Sequence, residues 1–170
     1  MAETEDELGT GGTAEAIPPD PVVAPATAVA LESIEVDAPR VGIIMGSKSD
    51  MDVMDGAASV LRDAGVHHEV RVMSAHREPT VVAEYCQNAR MRGLRVIIAG
   101  AGMSAALPGV AAAHTDLPVI GVPLSSRLSA MGGLDAILSV VQMPPGVPVA
   151  GVGLDNAKNA GVLALRILRA

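Results

Sequence analysis

From Val41 onward, short runs of apolar, mostly β-branched residues alternate with stretches whose apolar residues recur at helical spacing, and that alternation most restricts the fold. Val41–Met45 (VGIIM) reads as a buried strand, followed by the polar loop Gly46-Ser47-Lys48-Ser49-Asp50. Met51, Met54, Ala58 and Leu61 then share one helical face that ends near Gly65. Glu69–Met73 is a second strand, and Pro79 suits the first turn of a helix running to about Arg92, with Gly93 as its stop. Val96–Ala99 is a third strand that enters the glycine-rich loop GAGMSAALPG. A helix over Leu107–His114 and a strand over Val119–Val122 follow, then a loop over Pro123–Gly133 and a helix over Leu134–Val141. After a Pro/Gly loop, strand Val149–Val152 and helix Asn156–Arg169 complete the pattern. Continuous apolar strands alternating with helices predict a parallel sheet covered on both faces. The expected fold is α/β: a three-layer αβα sandwich of flavodoxin-like type, with five parallel strands and right-handed crossovers.

Composition narrows the function. The 170 residues include no Phe, no Trp and one tyrosine, so no aromatic platform exists for stacking single-stranded nucleic acid. A formal charge of −7 also opposes phosphate-backbone binding, and no nucleic-acid partner is expected. The lone cysteine, Cys86, excludes an internal disulfide and a cysteine-based zinc site, and it points to a reducing cytoplasm.

The negative charge is concentrated. Residues 1–39 hold nine acids and no Lys or Arg, whereas residues 40–170 hold ten acids against twelve bases. The first segment is rich in Ala, Thr and Pro and has too little apolar surface to offset its ordering entropy, so residues 1–39 are read as a disordered acidic leader and 40–170 as the folded domain. The start MAETEDELGTGG has neither the basic-then-apolar pattern of a secretory signal nor the basic character of a transit peptide. Two long uncharged stretches, Val96–Thr115 and Ala136–Leu154, are broken by Gly and Pro and would not close their hydrogen bonds as one helix in lipid; no membrane partner is expected.

In a parallel α/β sheet, ligands meet the loops beyond the carboxyl ends of the strands, and the unusual residues of this chain fall there: GSKSD, SAHREP, GAGMSAALPG and PLSS. Gly46–Asp50 opens a helix, so its free N–H groups, the Ser47 and Ser49 hydroxyls and the helix dipole could seat a phosphate. The same residues could simply cap that helix. The loop is neither GxxxxGK[ST] nor GxGxxG; Asp50 could accept from ribose hydroxyls, and Lys48 is expected to face solvent. After the second strand, Arg77 offers a planar fork for phosphate or carboxylate, and His76 supplies an imidazole, the side chain best suited to proton transfer near neutrality. The glycines of the third loop would let backbone approach a flat ligand, or merely make a tight turn. Cys86 reads as a packing residue, His67 and His68 as surface residues, and His114 as a cap or a solvent contact; no histidine pair suggests a metal. No GxSxG elbow is present. The residues thus indicate an enzyme for a small phosphorylated, ribose-containing ligand, with one imidazole acid/base and the reaction left open.

The stretches MGSKSDMDVM (45–54), SAHREP (74–79), IIAGAGMSAALPGV (97–110), LPVIGVPL (117–124) and SVVQMPPGVPVAGVG (139–153) resemble the PurE family of N5-carboxyaminoimidazole ribonucleotide mutases. The likeness spans about residues 40–169. It implies an isomerase of purine (IMP) biosynthesis that converts N5-carboxyaminoimidazole ribonucleotide to 4-carboxy-5-aminoimidazole ribonucleotide without metal or organic cofactor, and that assembles as a homo-octamer. By resemblance, Ser47, Ser49 and Arg77 would hold the phosphate and Asp50 the ribose. Ser74 and the backbone from Gly100 through Gly102 and Met103 to Ser104 would line the base pocket, with His76 the catalytic histidine. Ala106 stands where many such mutases carry a second histidine, and its share of carboxylate positioning would pass to Ser104, backbone or water. Two alternatives remain: an aminoimidazole ribonucleotide carboxylase that uses free CO2, and a non-catalytic nucleotide-binding module.

Overall fold

Five parallel strands lie in the order β2-β1-β3-β4-β5 in a computed structural model that describes residues 38–170. The strands are β1 (Val41–Met45), β2 (His68–Val72), β3 (Val96–Gly102), β4 (Val119–Leu124) and β5 (Ala150–Gly151). Between and after them run α1 (Met51–Asp63), α2 (Pro79–Gln87), α3 (Ala106–Ala113), α4 (Leu134–Val141) and α5 (Ala157–Arg169). The acidic leader read over residues 1–39 lies outside the described residues, apart from Ala38 and Pro39.

The period of two along each strand sorts the core onto two faces. Val41, Ile43 and Met45 of β1 pack with Met54, Ala57 and Leu61 of α1 and with Ala157, Ala160 and Ala164 of α5. Ile44, Ile97 and Ala99 point the other way, against Val82 and Cys86 of α2, Leu107 and Ala111 of α3, and Ala136 and Val140 of α4. The result is the flavodoxin-like sandwich expected from the alternation of runs. Among the described residues, no helix is long and apolar enough to cross a membrane.

The boundaries differ where tertiary neighbours decide them. β3 continues to Gly102 instead of stopping at Ala99, because β4 pairs alongside as far as Gly102↔Leu124. Two glycines permit this: a Cβ on Gly100 would lie 2.3 Å from the Met54 sulfur, and one on Gly102 would lie 2.9 Å from the Leu124 carbonyl oxygen. β5 shrinks to two residues because it pairs only with β4 and follows Pro148, which has no N–H to donate. α2 stops at Gln87 rather than near Arg92; the Asn88 side-chain amide donates to the Glu84 carbonyl (2.9 Å), and tight turns lead on to Gly93 at φ +92°.

β2 departs from the buried pattern. It is an edge strand, shifted by one residue to His68–Val72, and Val70 and Val72 are each more than a third exposed. Glu69 fastens this edge to the sandwich: it accepts from Tyr85 Oη (2.9 Å), from Arg71 and, closely, from Arg92. Burial alone would raise the Glu69 pKa, but the hydrogen bonds from Arg92 and Tyr85, with the arginine charge, outweigh it and hold the carboxyl below its ordinary range. Gly42 of β1 makes room for this arrangement, since a Cβ there would meet Tyr85 Oη at 2.2 Å.

Candidate active site

The loops leaving β1, β2, β3 and β4 enclose a cavity of about 550 Å³ at the carboxyl ends of the strands. It sits where the order reverses, since β1 lies between β2 and β3 and successive connections leave toward opposite faces. The residues that line it follow from the strand ends: Gly46, Ser47, Ser49 and Asp50 from β1, Ser74 to Arg77 from β2, Ala101 to Met103 from β3, and Leu124 to Leu128 from β4.

The first loop is both a cap and a row of donors. Lys48–Asp50 forms one turn of 3-10 helix, with Ser47 as its N-cap. The Ser49 N–H donates to Ser47 Oγ (3.2 Å), while the Ser47 N–H donates to an Asp50 carboxylate oxygen (3.1 Å). The capping reading is therefore realised, and it leaves the two hydroxyls together on the cavity wall, with Ser49 Oγ donating to Ser47 Oγ at 2.9 Å. Burial raises the Asp50 pKa, against the lowering exerted by the Ser49 hydroxyl, the Ser47 N–H and the Arg77 charge. Arg77 Nη2 donates to the Gly46 carbonyl at 2.6 Å, which ties the second loop to the first.

Ser74 is buried, and its hydroxyl and carbonyl accept from the Arg77 N–H (3.4 Å) and the Glu78 N–H (2.8 Å). That turn projects His76 and Arg77 from the end of β2, and both are exposed along the cavity. On the third loop Met103 holds φ +52°, a left-handed conformation that costs a non-glycine residue about 1 kcal/mol, and its side chain stays 45% exposed at the cavity. Ala106 and Leu107, at the start of α3, form part of the same wall.

Of the residues singled out from sequence, Ser47, Ser49, Asp50, Ser74, His76, Arg77, Gly102 and Met103 line the cavity; Gly100 and Ser104 do not. Gly100 answers to Met54 packing rather than to the cavity. Ser125, Ser126, Arg127 and Leu128 line the cavity as well. The motif PLSS had marked the start of that loop, but neither periodicity nor motif signalled Arg127 and Leu128. Elsewhere, Cys86 is buried, with its thiol pushed up to about 11 by burial, in keeping with packing rather than attack. His114 is the C-cap of α3. Among the described residues, no cluster of three or more His, Cys, Asp or Glu side chains is placed to hold a metal ion.

Fold and cavity together define a flavodoxin-like α/β protein that gathers five serines, a carboxylate, an imidazole and two guanidiniums at the sheet's switch point. Residues 40–170 match the AIR carboxylase family, and the chain belongs to that family. It is 59% identical over 135 residues to the N5-carboxyaminoimidazole ribonucleotide mutase of Pyrococcus abyssi, an alignment covering 79% of this chain and 76% of that protein. With the mutase of the same name from Mycobacterium tuberculosis H37Rv it shares 57% identity over 132 residues, 78% of this chain and 75% of the other. The crystal structure of Treponema denticola PurE superposes with a TM-score of 0.68 at 34% identity, covering 77% of this chain and 80% of that one.

Proposed function

We propose that this protein is an N5-carboxyaminoimidazole ribonucleotide mutase: an isomerase of purine biosynthesis that moves a carboxyl group from the exocyclic nitrogen to ring carbon C4. The observation that carries the reading is the convergence of Ser47, Ser49, Asp50, His76 and Arg77 on one cavity, in a chain 57–59% identical to proteins of that name. The nucleotide phosphate takes the Ser47 and Ser49 hydroxyls and the Arg77 guanidinium, a charge-assisted arrangement. Asp50 holds the ribose hydroxyls. Ser74, Gly102 and Met103 wall the base, and Gly100 and Ser104 belong to the same glycine-rich stretch without lining the cavity.

His76 handles the protons. Cleavage of the N–CO2 bond leaves its electron pair on the exocyclic nitrogen, which takes a proton from His76, and CO2 stays in the cavity. The electron pair of ring carbon C4 then forms the new bond to CO2, and His76 removes the C4 proton. The proton lent in the first half returns in the second, so one imidazole serves both. Holding CO2 against its acceptor supplies the proximity advantage.

The deciding experiment supplies purified protein with the N5-carboxylated nucleotide, and separately with the uncarboxylated nucleotide plus bicarbonate. The mutase reading expects fast conversion of the first and little of the second. The reverse preference would make the protein a carboxylase, the activity for which the family is named. Residues 1–39 are an acidic leader outside the catalytic domain 40–170, so a chain with residues 1–39 deleted should give the same rates. The enzyme works in the cytoplasm as a homo-octamer. Supporting assembly, Leu134, Leu138 and Val141 expose one apolar face of α4, and Met131 beside it is 84% exposed.

Arg77→Ala should weaken binding of the phosphorylated nucleotide about 10- to 100-fold, the usual worth of a hydrogen bond to a charged group. Calorimetric titration checks this, and unchanged affinity would remove Arg77 from the phosphate.

A further inference from the structure

Two guanidiniums face the cavity from different strands. Arg77, after β2, adjoins the hydroxyl-bearing loop, whereas Arg127 lines the cavity from the loop after β4. β2 and β4 are three positions apart in the sheet, about 14 Å at ordinary inter-strand spacing. Among the described residues no hydrogen bond or ion pair engages the Arg127 guanidinium, so its five donors remain available to the cavity.

Arg127 is held in place by the backbone around it. Ser126–Ser129 is a tight turn closed by the Ser129 N–H donating to the Ser126 carbonyl (3.1 Å), with Arg127 and Leu128 as its central residues. The Ser126 N–H donates to Ser129 Oγ (2.8 Å) and the Leu128 N–H to Ser126 Oγ (3.2 Å). The base of the turn is clamped from a distant part of the chain. Asp155, thirty positions beyond Ser125, accepts both the Ser125 N–H (2.8 Å) and its hydroxyl (2.6 Å) on its carboxylate. Asp155 does this from a left-handed backbone at φ +53°, and its own N–H donates to the Pro123 carbonyl (2.9 Å). A non-glycine residue persists in that conformation when its surroundings hold it there. Ser125 spends both of its donors on Asp155 and has none left for a ligand.

The substrate of the proposed reaction has two anionic ends, a phosphate and a carboxylate. With the phosphate on Ser47, Ser49 and Arg77, the second guanidinium matches the second charge. We infer that Arg127 is a specificity-determining residue that receives the nucleotide's carboxylate, and that Asp155 is a positioning residue that holds Arg127 in reach by clamping Ser125. The inference rests on the nucleotide reading above.

Calorimetry with the carboxylated product nucleotide and with its uncarboxylated counterpart tests it on the full chain. Arg127→Ala should lower affinity for the carboxylated nucleotide about 10- to 100-fold and change affinity for the other less than about 2-fold. Asp155→Gly keeps the left-handed backbone but removes both clamp bonds, and it should reproduce the selective loss in smaller measure, about 3- to 10-fold. Asp155→Asn retains an acceptor and tolerates the same backbone, so it should return most of the discrimination. Equal loss for both nucleotides, or no loss, in Arg127→Ala overturns the carboxylate assignment. A fall in thermal stability without selective loss in Asp155→Gly reduces Asp155 to a purely structural bond. Failure of the nucleotide reading would look different, because wild-type protein would then bind neither compound.

Discussion

Replacing His76 by asparagine is expected to lower turnover about 1,000-fold or more while leaving nucleotide affinity within a few-fold. The imidazole projects from the end of β2 on a turn set by Ser74, next to Arg77 on the cavity wall. In the proposed reaction both halves need a proton moved at that wall, and asparagine can accept or donate a hydrogen bond but cannot take up or release the proton. General acid–base catalysis contributes about 10²- to 10⁴-fold, and the proposed reaction would use the same group twice in each turnover. Affinity should hold because the phosphate and ribose contacts are assigned to other residues in that proposal. Single-turnover rates, read beside calorimetric affinity, separate the two effects. If turnover survives at wild-type rates, His76 is not the proton carrier. If affinity collapses along with the rate, the imidazole is a binding group first.

How far the amino-acid sequence reveals such a site depends on whether the determining contacts are local. β1 and α4 have the boundaries read from sequence because an uninterrupted apolar run and an amphipathic octet are local signals. The loops after β1 and β2 were legible for the same reason: capping chemistry and the Ser74–Arg77 turn act over three residues. The exposed edge of β2 was read as one more buried strand, although HEVRV alternates polar residues with valine where the other strands run continuously apolar, and the strand order places it at a margin. Gly100 shows a related limit. A glycine in a glycine-rich loop suggests close approach to a ligand, but here the close neighbour is Met54, which lies on α1 across one face of the sheet. Arg127 depended on a carboxylate thirty positions from the serine it clamps, and no window of sequence contains both. The helical face of α1 was visible as a pattern, but its partner α5 was not, because periodicity shows that a face is buried without naming what covers it.

That last pairing sets the largest expected effect on stability. Gly161 of α5 faces α1 so closely that a Cβ there would lie 2.9 Å from the Ala57 carbonyl oxygen, 3.0 Å from Val60 Cβ and 3.2 Å from Ala57 Cα. Two of these three atoms belong to backbone, so no rotamer change relieves the clash. Gly161→Leu must therefore push the helices apart along the buried alanines at 57, 157, 160 and 164, and open one whole face of the sandwich. Overpacking of this kind usually costs about 1–3 kcal/mol; with backbone as the obstacle the expected loss is at or above about 3 kcal/mol. Set against a total of about 5–15 kcal/mol for an ordinary domain, that is a large share. Gly161→Ala should lose less, because it meets the same Cβ contacts without the remaining bulk of leucine, while helix propensity returns up to about 1 kcal/mol for either residue. Urea unfolding of both variants measures the difference, and a leucine variant within about 1 kcal/mol of wild type would mean that α5 can move freely on α1. The site should register the change too. α1 begins at Met51, directly after the Ser47–Asp50 cap, so tilting it displaces the loop assigned to the phosphate. Leucine protein that still folds should bind nucleotide more weakly than the alanine variant, in proportion to how far the two helices have been forced apart.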